Sequence, residues 1–179
     1  MKITYSSMPS WQKRTPTLPT PELITHMLEI TAVARPISLA VIHCSASPIR
    51  VRYTPMQLIR DHLSRGYTHA GYHYYITREG DLYGLRPLSI VGAHARGHNI
   101  GSVGICYEGG LDRNGLPADT RTPAQRQMMS QLLGRLRELY PDLTIVGHRD
   151  LSPDRNGDGK VTPEEWTKSC PCFDAKLLN

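Results

Sequence analysis

The sequence predicts a mixed α/β (α+β) domain, a single mixed β-sheet flanked by helices with a cleft where strand ends meet. Three observations predict it. Short apolar, strand-length runs such as Leu39-Ala40-Val41-Ile42 and Thr144-Ile145-Val146 are interleaved with segments of helical periodicity. The two principal helical segments both open on Thr-Pro, at Thr54-Pro55 and Thr122-Pro123, which pairs a capping hydroxyl with a residue preset for the first turn. Turn sequences, Arg78-Glu79-Gly80-Asp81 and Asp112-Arg113-Asn114-Gly115, follow strand candidates. At 179 residues the chain has room for one domain and an extension.

Residues 1–36, punctuated by Pro9, Pro16, Pro19, Pro21 and Pro36, read as an N-terminal extension. Within it Thr20-Pro21-Glu22 predicts a short helix running to about Ile30. Residues 37–179 form the domain. Ile37 to His43 is a buried-strand candidate, and Pro55 opens a helix to about Ser64. Tyr72 to Thr77, rich in aromatic and β-branched residues, is a strand, with Leu82 to Leu85 returning as its hairpin partner. Ser102 to Tyr107 is a further strand. The longest helix starts at Pro123 and carries Met128, Met129, Leu132, Leu133, Leu136 and Leu139 at helical spacing, a core-facing stripe. Thr144 to Gly147 is the last strand.

Composition excludes some functions. The longest apolar run is the four residues Leu39–Ile42, against about 20 needed to cross a membrane, so no membrane insertion is expected. Met1 to Arg14 has no apolar stretch of the secretory kind; synthesis in the cytoplasm without a signal peptide is the expectation. Net charge is +5, from 21 Lys+Arg against 16 Asp+Glu. The excess lies upstream of His148; a basic balance favours acidic partners such as nucleic acid, anionic lipid or bacterial cell wall, and a solvated surface that happens to be basic is the default reading. With no dense basic run and no nucleic-acid motif, no nucleic-acid partner is expected. The four cysteines, Cys44, Cys106, Cys170 and Cys172, read as reduced thiols or metal ligands rather than staples.

Eight histidines are many for this length. His43, His73 and His148 sit at strand ends, where side chains distant in sequence converge. That is one way to build an open zinc site of three protein ligands and one water position. Surface or hydrogen-bonded core histidines explain the same spacing, which alone decides neither. His43 and Cys44 are strand neighbours facing opposite sides, so at most one of them enters a given site.

The motifs narrow this. V-I-H-C-S-A-S at Val41–Ser47, G-Y-H-Y at Gly71–Tyr74, G-A-H-A-R-G-H-N at Gly92–Asn99 and S-V-G-I at Ser102–Ile105 occur in that order. T-P-A-Q at Thr122–Gln125, G-H-R-D at Gly147–Asp150 and K-S-C-P-C-F-D at Lys168–Asp174 follow. In order and spacing the chain, from about Ile37 to Asp174, resembles the type-2 N-acetylmuramoyl-L-alanine amidase and peptidoglycan recognition protein superfamily, in its phage lysozyme-like branch. The resemblance implies zinc held by His43, His148 and Cys170, with catalytic support from Tyr72 and Lys168. It implies a substrate-cleft place for His94. His73 and Asn99 lie in the same motifs and are candidate substrate contacts, with packing or turn roles as the alternative. Zinc lowers the pKa of bound water to about 7, and the developing oxyanion needs donors, which Tyr72 and Lys168 offer. Where another branch of the family carries a glutamate base, this strand holds Cys106, which favours the Tyr/Lys arrangement. Cys44 and Cys172 read as packing residues.

Between His148 and Cys170, residues 154–165 fit the calcium-loop pattern D-x-[DN]-x-[DN]-G-x5-E. Its oxygens would come from Asp154, Asn156, Asp158, the Lys160 carbonyl and Glu165. The alternative is a turn followed by a capping box at Thr162-Pro163-Glu164-Glu165. Either a structural Ca²⁺ or plain turn chemistry satisfies the sequence. The expected function is a zinc endolysin-type hydrolase of peptidoglycan, acting as a monomer on the cell wall. A non-catalytic peptidoglycan-binding module and a cysteine hydrolase built on Cys44 are the rivals.

Overall fold

The computed structural model describes residues 20–179. Strands β1 (Glu22–Ile24), β2 (Leu39–Cys44), β4 (Tyr74–Ile76), β5 (Leu82–Gly84), β6 (Ser102–Tyr107) and β8 (Thr144–Gly147) form one six-stranded sheet in the order β1-β5-β4-β6-β2-β8. The β4–β6, β6–β2 and β2–β8 pairs are parallel, and the β4–β5 and β5–β1 pairs are antiparallel. Two short strands, β3 (Ser47–Pro48) and β7 (Gly110–Leu111), pair separately. Helices α1 (Pro55–Ser64) and α2 (Pro123–Leu139) pack on opposite faces.

Parallel strands covered on both sides read as continuous apolar runs, and β2 and β6 are buried almost end to end. On one face Met129, Leu132, Leu133 and Leu136 of α2 meet Ala40, Ile42, Val103, Ile105, Tyr107 and Ile145. On the other, Leu58 and Ile59 of α1 cover Tyr75 and Cys106. Both helices start as the sequence predicts. Thr54 Oγ1 accepts from Gln57 N and Thr122 Oγ1 from Gln125 N, with each glutamine reaching back to its cap. Gln125 is fully buried because its amide then donates to the carbonyls of Ile76 and Glu108, docking the start of α2 onto the sheet.

Two expectations are corrected. Residues 21–30 do not form one helix: Glu22–Ile24 extends as β1 along the edge of β5, and only Met27–Glu29 turn as a 3₁₀ segment. That turn is capped by Glu29, whose carboxylate accepts from Thr25 N and His26 N. An open strand edge outcompetes local helix propensity here. The strand expected over Tyr72–Thr77 is shortened to Tyr74–Ile76.

Glu108, just past β6, has a side chain that is 1% exposed. It accepts from the N–H groups of Tyr53 (2.7 Å) and Arg78 (3.1 Å) and faces the Arg78 guanidinium at 3.8 Å. Removing the carboxylate leaves the Tyr53 and Arg78 N–H groups without their acceptor and the partly exposed Arg78 guanidinium without its anion. Glu108→Ala is expected to cost about 3 kcal/mol, read as a melting temperature lower by about 6–12 °C.

Candidate metal centre and catalytic cleft

The register of two strands and the path of the C-terminal segment build the site. Parallel pairing of β2 with β8 sets Ile42 opposite Gly147, so His43 and His148 are one step further along neighbouring strands at the same sheet end. Their ring centroids are 4.6 Å apart. Cys170 arrives from the C-terminal segment. Its carbonyl accepts from Arg149 N at 2.7 Å, the next carbonyl, of Pro171, accepts from the Tyr107 hydroxyl at 2.7 Å, and its sulfur accepts from Cys44 N at 3.3 Å. The ligand atoms of His43, His148 and Cys170 all lie within 4.8 Å of one another. Two imidazoles and a thiol, with a cleft on the open side, match the donor set of a catalytic zinc with a free coordination position.

His43 is 1% exposed, and its Nδ1 is the nitrogen that faces Cys170 Sγ, at 3.8 Å. Burial pushes its pKa well below the usual histidine value, with His94, His148 and Lys168 adding to the effect. Burial, then Lys168, lowers His148 to about 4, and burial, then His73, lowers His94 to about 3. These rings are neutral near pH 7, the form that ligates a metal.

Tyr72 lies against this cluster, its ring 4.9 Å from His43. Burial raises its pKa well above 10, with the nearby thiols of Cys106 and Cys170 next in effect, so it is a hydroxyl donor and not a tyrosinate. Lys168 is exposed at the rim. The cleft, about 390 Å³, is lined by Tyr67, Ala93, Ala95, Gly97, His94, Arg96, Asn99, His148 and Lys168. No carboxylate is among these residues, and the rim is cationic. Cys106, opposite His43 in register, is fully buried and its thiol is pushed up by burial.

The other expected contacts lie further back. His73 is fully buried. Its Nδ1 accepts from Gly104 N at 2.9 Å and its Nε2 lies 3.0 Å from the Ile90 carbonyl, so both nitrogens are engaged within the fold. Asn99 lines the cleft while its Oδ1 accepts from His94 N and Ala95 N, both at 2.9 Å, closing the turn beneath. Cys44 points away from the cleft, its sulfur 3.8 Å from that of Cys172. Tyr67 and Arg96 line the cleft without having been singled out from the sequence. Arg35 was also missed: it donates to the carbonyls of Leu88, Ile100 and Ser102 and so pins both flanks of the Gly92–Asn99 loop. No sequence pattern marks a lone arginine for that work.

In residues 154–165 the polar side chains are taken up by the loop itself. Asp154 accepts from Gly157 N and Gly159 N, Asn156 from Asp158 N, Asp158 from Lys160 N, and Glu165 from the N–H groups of Arg155, Asn156 and Thr162. Among the described residues the only gathered set of three or more ionisable ligands is His43, His148 and Cys170. Turn and capping chemistry accounts for the motif as it stands.

A family model described as N-acetylmuramoyl-L-alanine amidase matches residues 33–171. An uncharacterized protein of Haemophilus influenzae is 52% identical over 96 residues, 54% of this chain and 83% of its own length. An endolysin of Klebsiella phage KP32 is 33% identical over 135 residues, 75% of this chain and 80% of its own. Among solved structures, the N-acetylmuramoyl-L-alanine amidase LysC from Clostridium intestinale superposes with a TM-score of 0.62 at 25% identity, covering 92% of this chain and 89% of that one. The family match spans five of the six sheet strands and the strand-end cluster, and together with the extent of the likeness to a phage endolysin it leaves one conclusion: this chain belongs to the N-acetylmuramoyl-L-alanine amidase family.

Proposed function

We propose that the protein is a zinc-dependent peptidoglycan hydrolase that cleaves the amide between N-acetylmuramic acid and the L-alanine of the stem peptide. The observation that carries this is the His43–His148–Cys170 cluster, open to a cleft with a cationic rim. His43, His148 and Cys170 would hold the ion. When bound, zinc supplies a Lewis acid and activates water at neutral pH.

The remaining work falls to the protein's own groups. Tyr72, held protonated by burial, donates to the amide oxygen as negative charge grows there. Lys168 lines the cleft beside His148 and brings a positive charge to it. No carboxylate lines the cleft among the described residues, so proton transfer is assigned to Lys168 rather than to an acidic base, with Tyr72 a fixed hydrogen-bond donor. Arg96 and Lys168 at the rim suit the carboxylates of a stem peptide. Asn99 holds the floor of the cleft through its turn. Calcium enters no step. No helix among the described residues is long and apolar enough to cross a membrane, and the endolysin likeness supports action on the bacterial cell wall.

A binding module without activity is the alternative. Retention of the thiol ligand and of Lys168 supports the enzyme. Mass spectrometry of purified peptidoglycan after incubation, with and without chelator, decides between them. Free stem peptides beginning at L-alanine are expected, lost with chelator and restored by zinc. Intact peptidoglycan in the presence of bound zinc would support the binding module instead.

A further inference from the structure

His94 lies behind the metal cluster as well as beside the cleft. Its Nδ1 is 3.1 Å from His43 Nε2, and its own Nε2 is 3.4 Å from Ser102 Oγ. The Ser102 hydroxyl in turn lies 3.5 Å from the Asn99 carbonyl. The ring occupies a slot floored by glycine. A Cβ on Gly104 of β6 would fall 2.6 Å from His94 Cγ and 2.7 Å from its Nε2, and one on Gly92 would fall 2.5 Å from its Cδ2. Any larger residue at either position would drive the ring out.

We infer that His94 is a positioning residue for the metal: it accepts the Nε2 hydrogen of His43, fixes the tautomer that leaves His43 Nδ1 free to ligate, and is itself seated by Ser102, Gly92 and Gly104. This rests on the reading of His43 as a zinc ligand. The hydrogen count permits one arrangement. A neutral His43 that ligates through Nδ1, the nitrogen facing Cys170, carries its hydrogen on Nε2. Two facing ring nitrogens bond only if one donates and the other accepts. His94 Nδ1 is then the acceptor, the His94 hydrogen sits on Nε2, and it points to Ser102 Oγ. Ser102, 0% exposed, passes its own hydrogen to the Asn99 carbonyl. Each member of the chain donates once, and each acceptor is inside the fold, so the ring of His43 is held in one orientation. Outer partners of this kind set metal affinity by about 10–100-fold.

The test is zinc affinity, measured by competition with a chromophoric chelator, zinc being the probe. His94→Phe keeps a ring in the slot and removes the acceptor; zinc binding is expected to weaken about 10–100-fold. His94→Asn, whose Oδ1 falls near the place of Nδ1, is expected to recover most of the loss. Gly104→Ala touches no ligand and is expected to weaken zinc by displacing the ring. Wild-type affinity in His94→Phe would overturn the inference, as would an equal loss in His94→Asn. Should these variants fail to fold, long-range ¹⁵N–¹H correlation on the zinc-loaded wild type decides. Hydrogens on Nε2 of both His43 and His94 are expected, and a hydrogen on Nδ1 of His94 would overturn the inference. If wild type binds no zinc, or Cys170→Ala binds as tightly, the zinc reading itself fails and takes this with it. If Cys170→Ala loses zinc while His94→Phe does not, only the role of His94 fails.

Discussion

Cys170→Ala is expected to lose stoichiometric zinc and to cut amidase activity by about 10³-fold or more while remaining folded. The sulfur is presented by backbone: Arg149 N and the Tyr107 hydroxyl hold the carbonyls of residues 170 and 171, and neither bond involves the thiol. The substitution therefore leaves the segment in place and removes one ligand of three. Two imidazoles alone cannot close the donor set of a catalytic zinc. Metal activation of this kind is worth several kcal/mol, and about 4 kcal/mol corresponds to roughly a 10³-fold rate loss. Metal content by mass spectrometry, a thermal melt in chelator and release of stem peptides from peptidoglycan give the three readings. Full zinc and full activity in Cys170→Ala would show that the ligand set has been misassigned. A cysteine hydrolase built on Cys44 predicts the opposite pattern, with activity surviving chelation and lost in Cys44→Ala; the Cys44 sulfur faces Cys172 across the core, away from the cleft.

The strands and helices that the sequence makes legible are those set by local chemistry. β6, a central strand, and β8, a parallel edge strand, fall where expected because each is a short run rich in apolar and β-branched residues between turn signals. The helix starts at Thr54 and Thr122 depend on a cap and a proline that act within four residues. Thr20-Pro21-Glu22 carries the same signal and yields a strand, because the deciding contact, with β5, lies some sixty residues away. The site divides in the same way. His43 and His148 become neighbours only through the parallel β2–β8 register, which no single-sequence pattern encodes; their pairing with Cys170 was legible through family motifs alone. His73, a strand-end candidate like the other two, turns inward and bonds to β6. The glycines that admit the His94 ring leave no trace in hydropathy or propensity, since they act by what they lack.

Tyr72→Phe and Lys168→Met are expected to lower kcat by about 10²–10³-fold each, the cost of losing one donor to a developing oxyanion, with zinc content unchanged. Tyr72 sits 4.9 Å from His43, ring to ring, and its raised pKa keeps the hydroxyl hydrogen in place. Phenylalanine fills the same volume, so the loss isolates one hydrogen bond. Because burial moves the tyrosine titration upward, no fall in wild-type activity from tyrosine ionisation is expected below about pH 10, and Tyr72→Phe should show the wild-type pH profile at lower height. A profile that changes shape would make Tyr72 a proton carrier rather than a fixed donor. Lys168 differs in being exposed and flexible. It contributes charge and can also deliver a proton, so Lys168→Arg is expected to recover the electrostatic part and leave any proton-transfer part missing. If the two groups serve the same oxygen, the double variant falls short of the product of the single losses. Losses that multiply would place them at separate points, Tyr72 at the amide oxygen and Lys168 at the departing amine or the substrate's carboxylates. Wild-type kcat in either zinc-loaded single variant would remove that residue from the reaction.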